Sequence, residues 1–348
     1  MSRIKNVLFA DNIACGYLYF YIHFVTEIVC FYFLNLITDG SSIIWLIPFI
    51  YDCLAFVPQS IIGYINDKFP KLNTGIIGCI LLFLGLVIYI SLKSVFLSLI
   101  IICLGNCFLH ISGAENTLRN SKGKLSHSAI FVGGGSFGVI TGKLLSDVIS
   151  IYWLIPLIIT MIPFIMLANT YRENSTIDFN YHNKKINYGL IIILMVFVVA
   201  VRGYMGYGIP TSWNKTVFQT ILLYFTMGIG KALGGILSDI FGIKKIAIIS
   251  TLLAIPFLCF GDNYMLISLI GVMMFSMTMS ITLAVLTSVL KNTPGLAFGL
   301  TTIGLFLGTA PIFFIKITSQ LFNNILLIIL SLICTMILCK VIRKEENV

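Results

Sequence analysis

The chain has 348 residues, of which 58% are hydrophobic and only 10% charged, and its mean hydropathy is +1.03. A soluble domain carries roughly a quarter of its residues as charges, so this much apolar surface excludes a water-soluble fold and implies lipid as the solvent. A net charge of +9 would suggest a nucleic-acid partner in a soluble protein, but its distribution along the chain has a different cause.

A membrane-spanning helix needs about 20 apolar residues. Cutting the chain at clusters of charge, Pro, Gly and Asn predicts twelve spans: 10–36, 42–64, 73–92, 94–116, 127–149, 152–170, 188–208, 215–237, 243–260, 264–289, 295–315 and 322–341. Eight or nine longer helices fit less well, because the turn-like clusters recur too regularly. Arg3 and Lys5 precede the first apolar run as in a signal peptide. Asp11 interrupts that run and no small-x-small cleavage site follows, so it is read as an uncleaved first helix. The longest polar stretch, 171–187, carries Arg172, Glu173, Asp178, Lys184 and Lys185 and follows the sixth span. It predicts a linker between an N-terminal half, 1–170, and a C-terminal half, 188–348.

Lysine and arginine set the orientation. Sixteen of the 22 fall on connections of one side, among them Lys68, Lys71, Arg119, Lys122, Lys124, Lys184, Lys185, Lys244, Lys245, Lys291 and Arg343, whereas the other side has only Lys93 and Lys215. The basic side is expected in the cytoplasm, with both termini, of a multi-pass protein of the plasma or inner membrane. This asymmetry accounts for the positive charge without nucleic acid. Trp45, Trp153 and Trp213 each open a span at its outer end, where indoles favour the interface. The nine cysteines lie mostly in apolar runs, without a Cys-x-x-Cys pair, and are read as small core residues, not a disulfide frame or a zinc site.

Two stretches share one pattern: Gly63-Tyr-Ile-Asn-Asp67-Lys68-Phe-Pro-Lys71 and Gly235-Ile-Leu-Ser-Asp239-Ile-Phe-Gly242-Ile-Lys244-Lys245. Their aspartates are 172 positions apart, about half the chain. A polar device repeated at half-length in an apolar sequence suggests two homologous halves. With twelve spans and a central linker, the chain resembles the major facilitator superfamily, whose signature Gly-x-x-x-Asp-(Arg/Lys)-x-Gly-(Arg/Lys)-(Arg/Lys) follows the second span. The first copy has Pro70 where glycine is usual, and the second has Ile240 in place of the first basic residue. The resemblance covers nearly the whole chain and implies an all-α integral membrane protein of two pseudo-symmetric six-helix bundles. In the signature, Gly63 and Gly235 let helices approach closely. Asp67 and Asp239 can cap a neighbouring helix and pair with basic groups, latching the cytoplasmic side. The plainer reading is a polar turn ended by an aspartate. A narrower likeness, to the fosmidomycin-resistance-type branch, rests on His23-Phe-Val-Thr-Glu27, Pro58-Gln-Ser-Ile-Ile-Gly63, His110 with Glu115, and Phe131-Val-Gly-Gly-Gly-Ser-Phe-Gly138. It implies proton-driven export of small polar or drug-like compounds.

Charges within spans are costly, so each is a candidate for function. His23 and Glu27 lie one turn apart in span one, and Asp52 is near mid-depth in span two. Glu27 and Asp52 can exchange protons as the cavity changes sides, with His23 as relay or substrate contact; the alternative is that His23 only fixes packing through Glu27. His110 is a second cavity group, while Glu115 and Arg119 fit a charge network around Asp67. Arg202, in span seven, can hold an anionic substrate, pair with Glu27, or snorkel to the outer interface. Lys231, one turn before Gly235, is assigned to the latch, and Lys143 to snorkelling. Gly134-x-x-x-Gly138-x-x-x-Gly142 in span five and Gly304-x-x-x-Gly308 in span eleven are read as packing stripes. Met273, Met274, Met277 and Met279 are core, or a pliable cavity wall.

No phosphate loop, nucleophile elbow or His-Glu-x-x-His appears, so neither an enzyme nor an ATP-driven transporter is indicated, and no cofactor or metal is expected. The expectation is a monomeric secondary transporter that moves a small molecule by alternating access, as a proton-coupled antiporter. The rivals are proton-coupled uptake of a nutrient or anion and, in another class, a membrane-embedded enzyme or lipid-handling protein.

Overall fold

The computed structural model describes residues 13–39, 45–171, 177–208, 211–315 and 319–343. The sequence readings that rest on Arg3, Lys5, Asp11, Arg172 and Glu173 lie outside the described residues. A chain in hydrocarbon must satisfy its own backbone, and helices do so within a single segment. Among the described residues, twelve helices are long and apolar enough to cross a membrane. They are α1 (Ile13–Thr38), α2 (Leu46–Lys68), α3 (Thr74–Leu92), α4 (Val95–Arg119), α5 (Ser126–Leu145), α6 (Ile151–Thr170), α7 (Tyr188–Gly208), α8 (Val217–Phe241), α9 (Ile243–Phe260), α10 (Met265–Val289), α11 (Pro294–Phe313) and α12 (Gln320–Val341).

No boundary departs from the sequence expectation by more than four residues. The ends have local causes. Asn73 accepts from the Ile76 amide at 3.1 Å to start α3, and Thr216 and Gln219 form a reciprocal capping box that starts α8. α8 runs past the predicted end until Gly242, whose φ of 96° only glycine adopts readily. Pro58 has no amide proton to donate, but Val57 before it keeps helical angles, φ −64° and ψ −45°, so α2 continues through it.

α1 packs along α5, α3 along α4, α7 along α11, and α9 along α10 and α12. Two further pairings join the first six helices to the last six: α2 with α11, and α5 with α8. A shift of six helices turns one of these pairs into the other, which is the pseudo-two-fold the repeated signature predicts. The glycine stripes serve these contacts. Gly134, Gly138 and Gly142 face the carbonyls of Phe20, Phe24 and Ile28 on α1, and Gly304 and Gly308 face those of Val196 and Ala200 on α7. A methyl group there would strike backbone, so the stripes let paired helices touch main chain to main chain. α1, α4, α5 and α10 are the most enclosed helices, while Phe96, Ile193 and Leu266, each more than 60% exposed, face outward as lipid requires.

The linker is a fixed strap over its described part. Ile177 and Phe179 are buried, and the Tyr181 hydroxyl donates to the Gly123 carbonyl at 2.5 Å. Its backbone pairs with the end of α12 through Asn183 N to Val341 O and Arg343 N to Tyr181 O, both 2.8 Å. One expectation fails: Trp45 and Trp153 are exposed, but Trp213 is 8% exposed and packs inside rather than anchoring at an interface.

Candidate functional site

His23 and Glu27 share one face of α1, and His110 reaches the same point from α4. Its Nε2 lies 3.3 Å from Glu27 Oε1, and His23 Nε2 lies 3.6 Å from that oxygen. All three residues are buried. Each ring is oriented from behind: His23 Nδ1 is 2.9 Å from the Phe131 carbonyl and His110 Nδ1 is 3.0 Å from that of Asn106. Gly135 leaves the room that the His23 ring occupies. Phe131 lies 4.9 Å from the His23 ring, and Phe298 of α11 stacks on His110 at 6.2 Å. Asn106, which sequence reasoning overlooked, donates from Nδ2 to Glu27 Oε1 at 3.3 Å.

The geometry constrains the protons. A neutral imidazole has one N–H, and a carbonyl accepts only from a donor, so both Nδ1 atoms carry hydrogen. With no further proton, two Nε2 lone pairs would face a carboxylate oxygen. The cluster therefore coheres with at least one additional proton, on an Nε2 or on Glu27. The same three ligand atoms lie within 4.8 Å of one another, close enough to surround a metal ion. The Asn106 amide donor on the shared oxygen, and the positive charge of Lys231 within electrostatic range of Glu27 and His110, suit a proton better than a divalent cation.

Asp52, Arg202, Lys231 and Lys143 make their hydrogen bonds elsewhere. Asp52 is buried on α2 and accepts from the Thr309 hydroxyl of α11 at 3.3 Å, at the seam between the halves. Arg202 does not pair with Glu27 and does not snorkel. It is buried, with Nη1 3.5 Å from the Thr282 hydroxyl and Nη2 without a partner among the described residues. Nothing in the spacing of α7 could show that α10, not α1, faces it. Lys231 is not a latch residue either: its ammonium donates to Ser136 of α5 at 2.8 Å and lies in electrostatic range of Arg202. Its four-carbon stem carries the charge away from the signature below it. Lys143 donates to the Tyr224 hydroxyl at 3.4 Å.

The signature copies hold the two cross-half pairs together. Asp67 Oδ1 and Oδ2 accept from the backbone amides of Gly295 and Leu296, at 3.0 and 2.8 Å, at the start of α11. Asp239 accepts from those of Leu125 and Ser126, at 2.8 and 2.9 Å, at the start of α5. Each carboxylate thus meets the positive end of a helix in the opposite half. Gly63 lies on the backbone of Gly295, and Gly235 on Ala129 and the Leu125 carbonyl, which brings each aspartate within reach. The expected pairing with basic groups is not found: among the described residues, no ion pair joins Lys68, Lys71, Lys244 or Lys245 to an acid. Lys68 lies over the Tyr64 ring, and Lys244 donates to the Ile342 carbonyl at 3.2 Å. Glu115 binds Arg119 Nε at 2.9 Å and accepts from Asn66, beside Asp67.

No protein-family model matches the sequence, and no curated protein matches it. Solved structures are similar. The human organic anion transporter MFSD10 (TETRAN) superimposes with a TM-score of 0.68 at 11% identity, over 94% of this chain and 99% of that one. FucP, a Major Facilitator Superfamily transporter in the outward conformation, gives 0.63 at 14% identity, over 95% and 99%; another FucP structure is described as the E. coli fucose:proton symporter. A bacterial homologue of the iron transporter ferroportin, in an outward-facing state, gives 0.62 at 11% identity, over 94% and 98%. The chain has the major facilitator fold: among the described residues, twelve helices long and apolar enough to cross a membrane, in two pseudo-symmetric bundles.

Proposed function

We propose that this protein is a secondary transporter that moves a small polar molecule by alternating access, coupled to protons, and that it works as an exporter. The observation that carries the reading is the Glu27–His23–His110 cluster, a buried centre that needs a proton to cohere. Glu27 carries the proton, with His23 and His110 as its partners and as solute contacts. Asp52 is a second proton-accepting group, at the seam that must open. The halves are 1–170 and 188–348, joined by the strap, and the signature face with both termini lies in the cytoplasm. The three structural neighbours carry different solutes, so the cargo is argued from this chain's own groups. Export rests on the sequence likeness around His23 and Phe131. Arg202, with its free Nη2, favours a solute that bears a negative charge, and with it the alternative of anion uptake.

The test is a solute screen in inverted vesicles, with and without an imposed proton gradient. An exported solute accumulates only when the gradient is present, and Glu27→Gln abolishes accumulation while leaving expression and melting temperature unchanged. Full gradient-driven transport by Glu27→Gln removes Glu27 from the mechanism.

A further inference from the structure

The strap and the α10–α11 turn line an open recess of about 540 Å³ on the signature face, which shares no lining residue with the Glu27 cluster. His182, Lys184, Ser288, Lys291, Asn292 and Thr293 line it, and none of its lining residues is acidic. Lys184 and Lys291 both act electrostatically on His182. That histidine is 3% exposed; its Nδ1 is 2.9 Å from the Ser288 hydroxyl, and its Nε2 has no partner among the described residues. The Ser288 hydroxyl donates to the Val285 carbonyl at 2.7 Å, so it accepts from His182 Nδ1–H, and Nε2 becomes a donor when an arriving anion brings a proton onto it. Two lysines, that imidazole, the Asn292 amide and the Thr293 hydroxyl make an electropositive recess. Such a set suits a compact, multiply charged oxyanion, which accepts from several donors at once.

We propose that this recess binds a phosphate monoester or orthophosphate and thereby stabilises the closed state of the α2–α11 latch. The coupling is covalent and short. The turn that carries Lys291, Asn292 and Thr293 runs straight into Pro294, and the next two amides, Gly295 and Leu296, hold Asp67. An anion between Lys184 on the strap and Lys291 on the turn ties the linker to the first turn of α11. It fixes the amides that the Asp67 carboxylate needs.

The phosphate can come from a soluble metabolite or from the headgroup of an anionic lipid, and two arms separate these sources. Full-length protein is placed in phosphatidylcholine nanodiscs and titrated with inorganic phosphate or glycerol 3-phosphate. In the other arm the nanodiscs contain phosphatidic acid. Hydrogen exchange is followed over 177–187 and 290–296 at constant ionic strength. Saturable protection in the first arm identifies a soluble phosphate; protection in the second arm alone identifies a lipid headgroup. In either case Lys184→Ala/Lys291→Ala weakens the effect at least about tenfold, while its melting temperature without phosphate stays that of the parent. Equal protection in the double variant, equal protection by chloride, or none in either arm overturns the proposal. No transport is measured, so the result stands apart from the Glu27 experiment.

Discussion

At Gly135 a hydrogen atom in place of a methyl group decides where His23 can sit. A Cβ there would fall on the Nε2 and Cε1 atoms of the ring. Gly135→Ala should push His23 off Glu27 without touching the carboxylate or His110. Overfilling a packed site costs about 1–3 kcal/mol, so the variant is expected to fold with a lower melting temperature. Its gradient-driven transport should keep a proton dependence, through His110 and Glu27, with a displaced pH profile. A profile identical to the parent's would show that His23 is a packing residue. The His23–Glu27 pair was legible in the sequence because helical spacing puts residues four apart on one face. Its completion was not: His110 and Asn106 arrive from α4, and nothing local in the sequence links them to Glu27. Lys231 was misplaced for a related reason. Sequence spacing locates a Cα, whereas the end of a lysine can reach the next helix.

At the scale of elements, the helices follow from hydropathy, because lipid leaves the backbone little choice. The strap does not. Residues 177–187 read as a plain polar linker, yet Phe179, Tyr181 and His182 fasten it between Gly123 and Ile342. Three anchors scattered through a polar stretch give no periodic signal. The strap makes a prediction of its own. Burial, and then the positive charges of Lys291 and Lys184, hold the His182 imidazolium below its ordinary pKa; Ser288, which it bonds, Tyr188, whose ring it meets, and Ile342, which it pairs with, carry no charge on their side chains. A released strap binds the proton more readily than a docked one. Docking is therefore fully present above the ordinary histidine value, about 6.5, and weakens as the pH falls through it. Hydrogen exchange over 177–187, corrected for its intrinsic pH dependence, should quicken between pH 7.5 and 5.5 (about one unit either side of that value). His182→Gln should flatten the change; an unaltered slope would assign it to another group.

Across the whole molecule, the half-chain repeat of the signature carried more information than either copy alone. It anticipated that two aspartates would occupy equivalent places, and the structure puts one on each cross-half helix pair, at a helix N-terminus. What the repeat could not show is that the basic residues after each aspartate play no direct part in the bond. The symmetry has a testable consequence. If the halves move as bodies, both latches close one gap, and loosening either should open the other. Asp67→Asn keeps one acceptor oxygen but removes the charge that faces the α11 N-terminus. The loss is about 1–2 kcal/mol, enough to raise the open population roughly 5- to 30-fold. Exchange at Gly295 and Leu296 will rise whether or not the latches communicate, because those amides lose their own partner. The informative amides are Leu125 and Ser126, bound to Asp239 on the other pair. They should quicken by the same factor in Asp67→Asn, and Asp239→Asn should do the reverse to Gly295 and Leu296. In the double variant the two losses should add, since the sites share no contact. Solute affinity should change little and the rate of exchange across the membrane should fall. If the remote amides keep their protection while solute binding weakens, the aspartates are packing elements of separate helix pairs and the signature is not a gate.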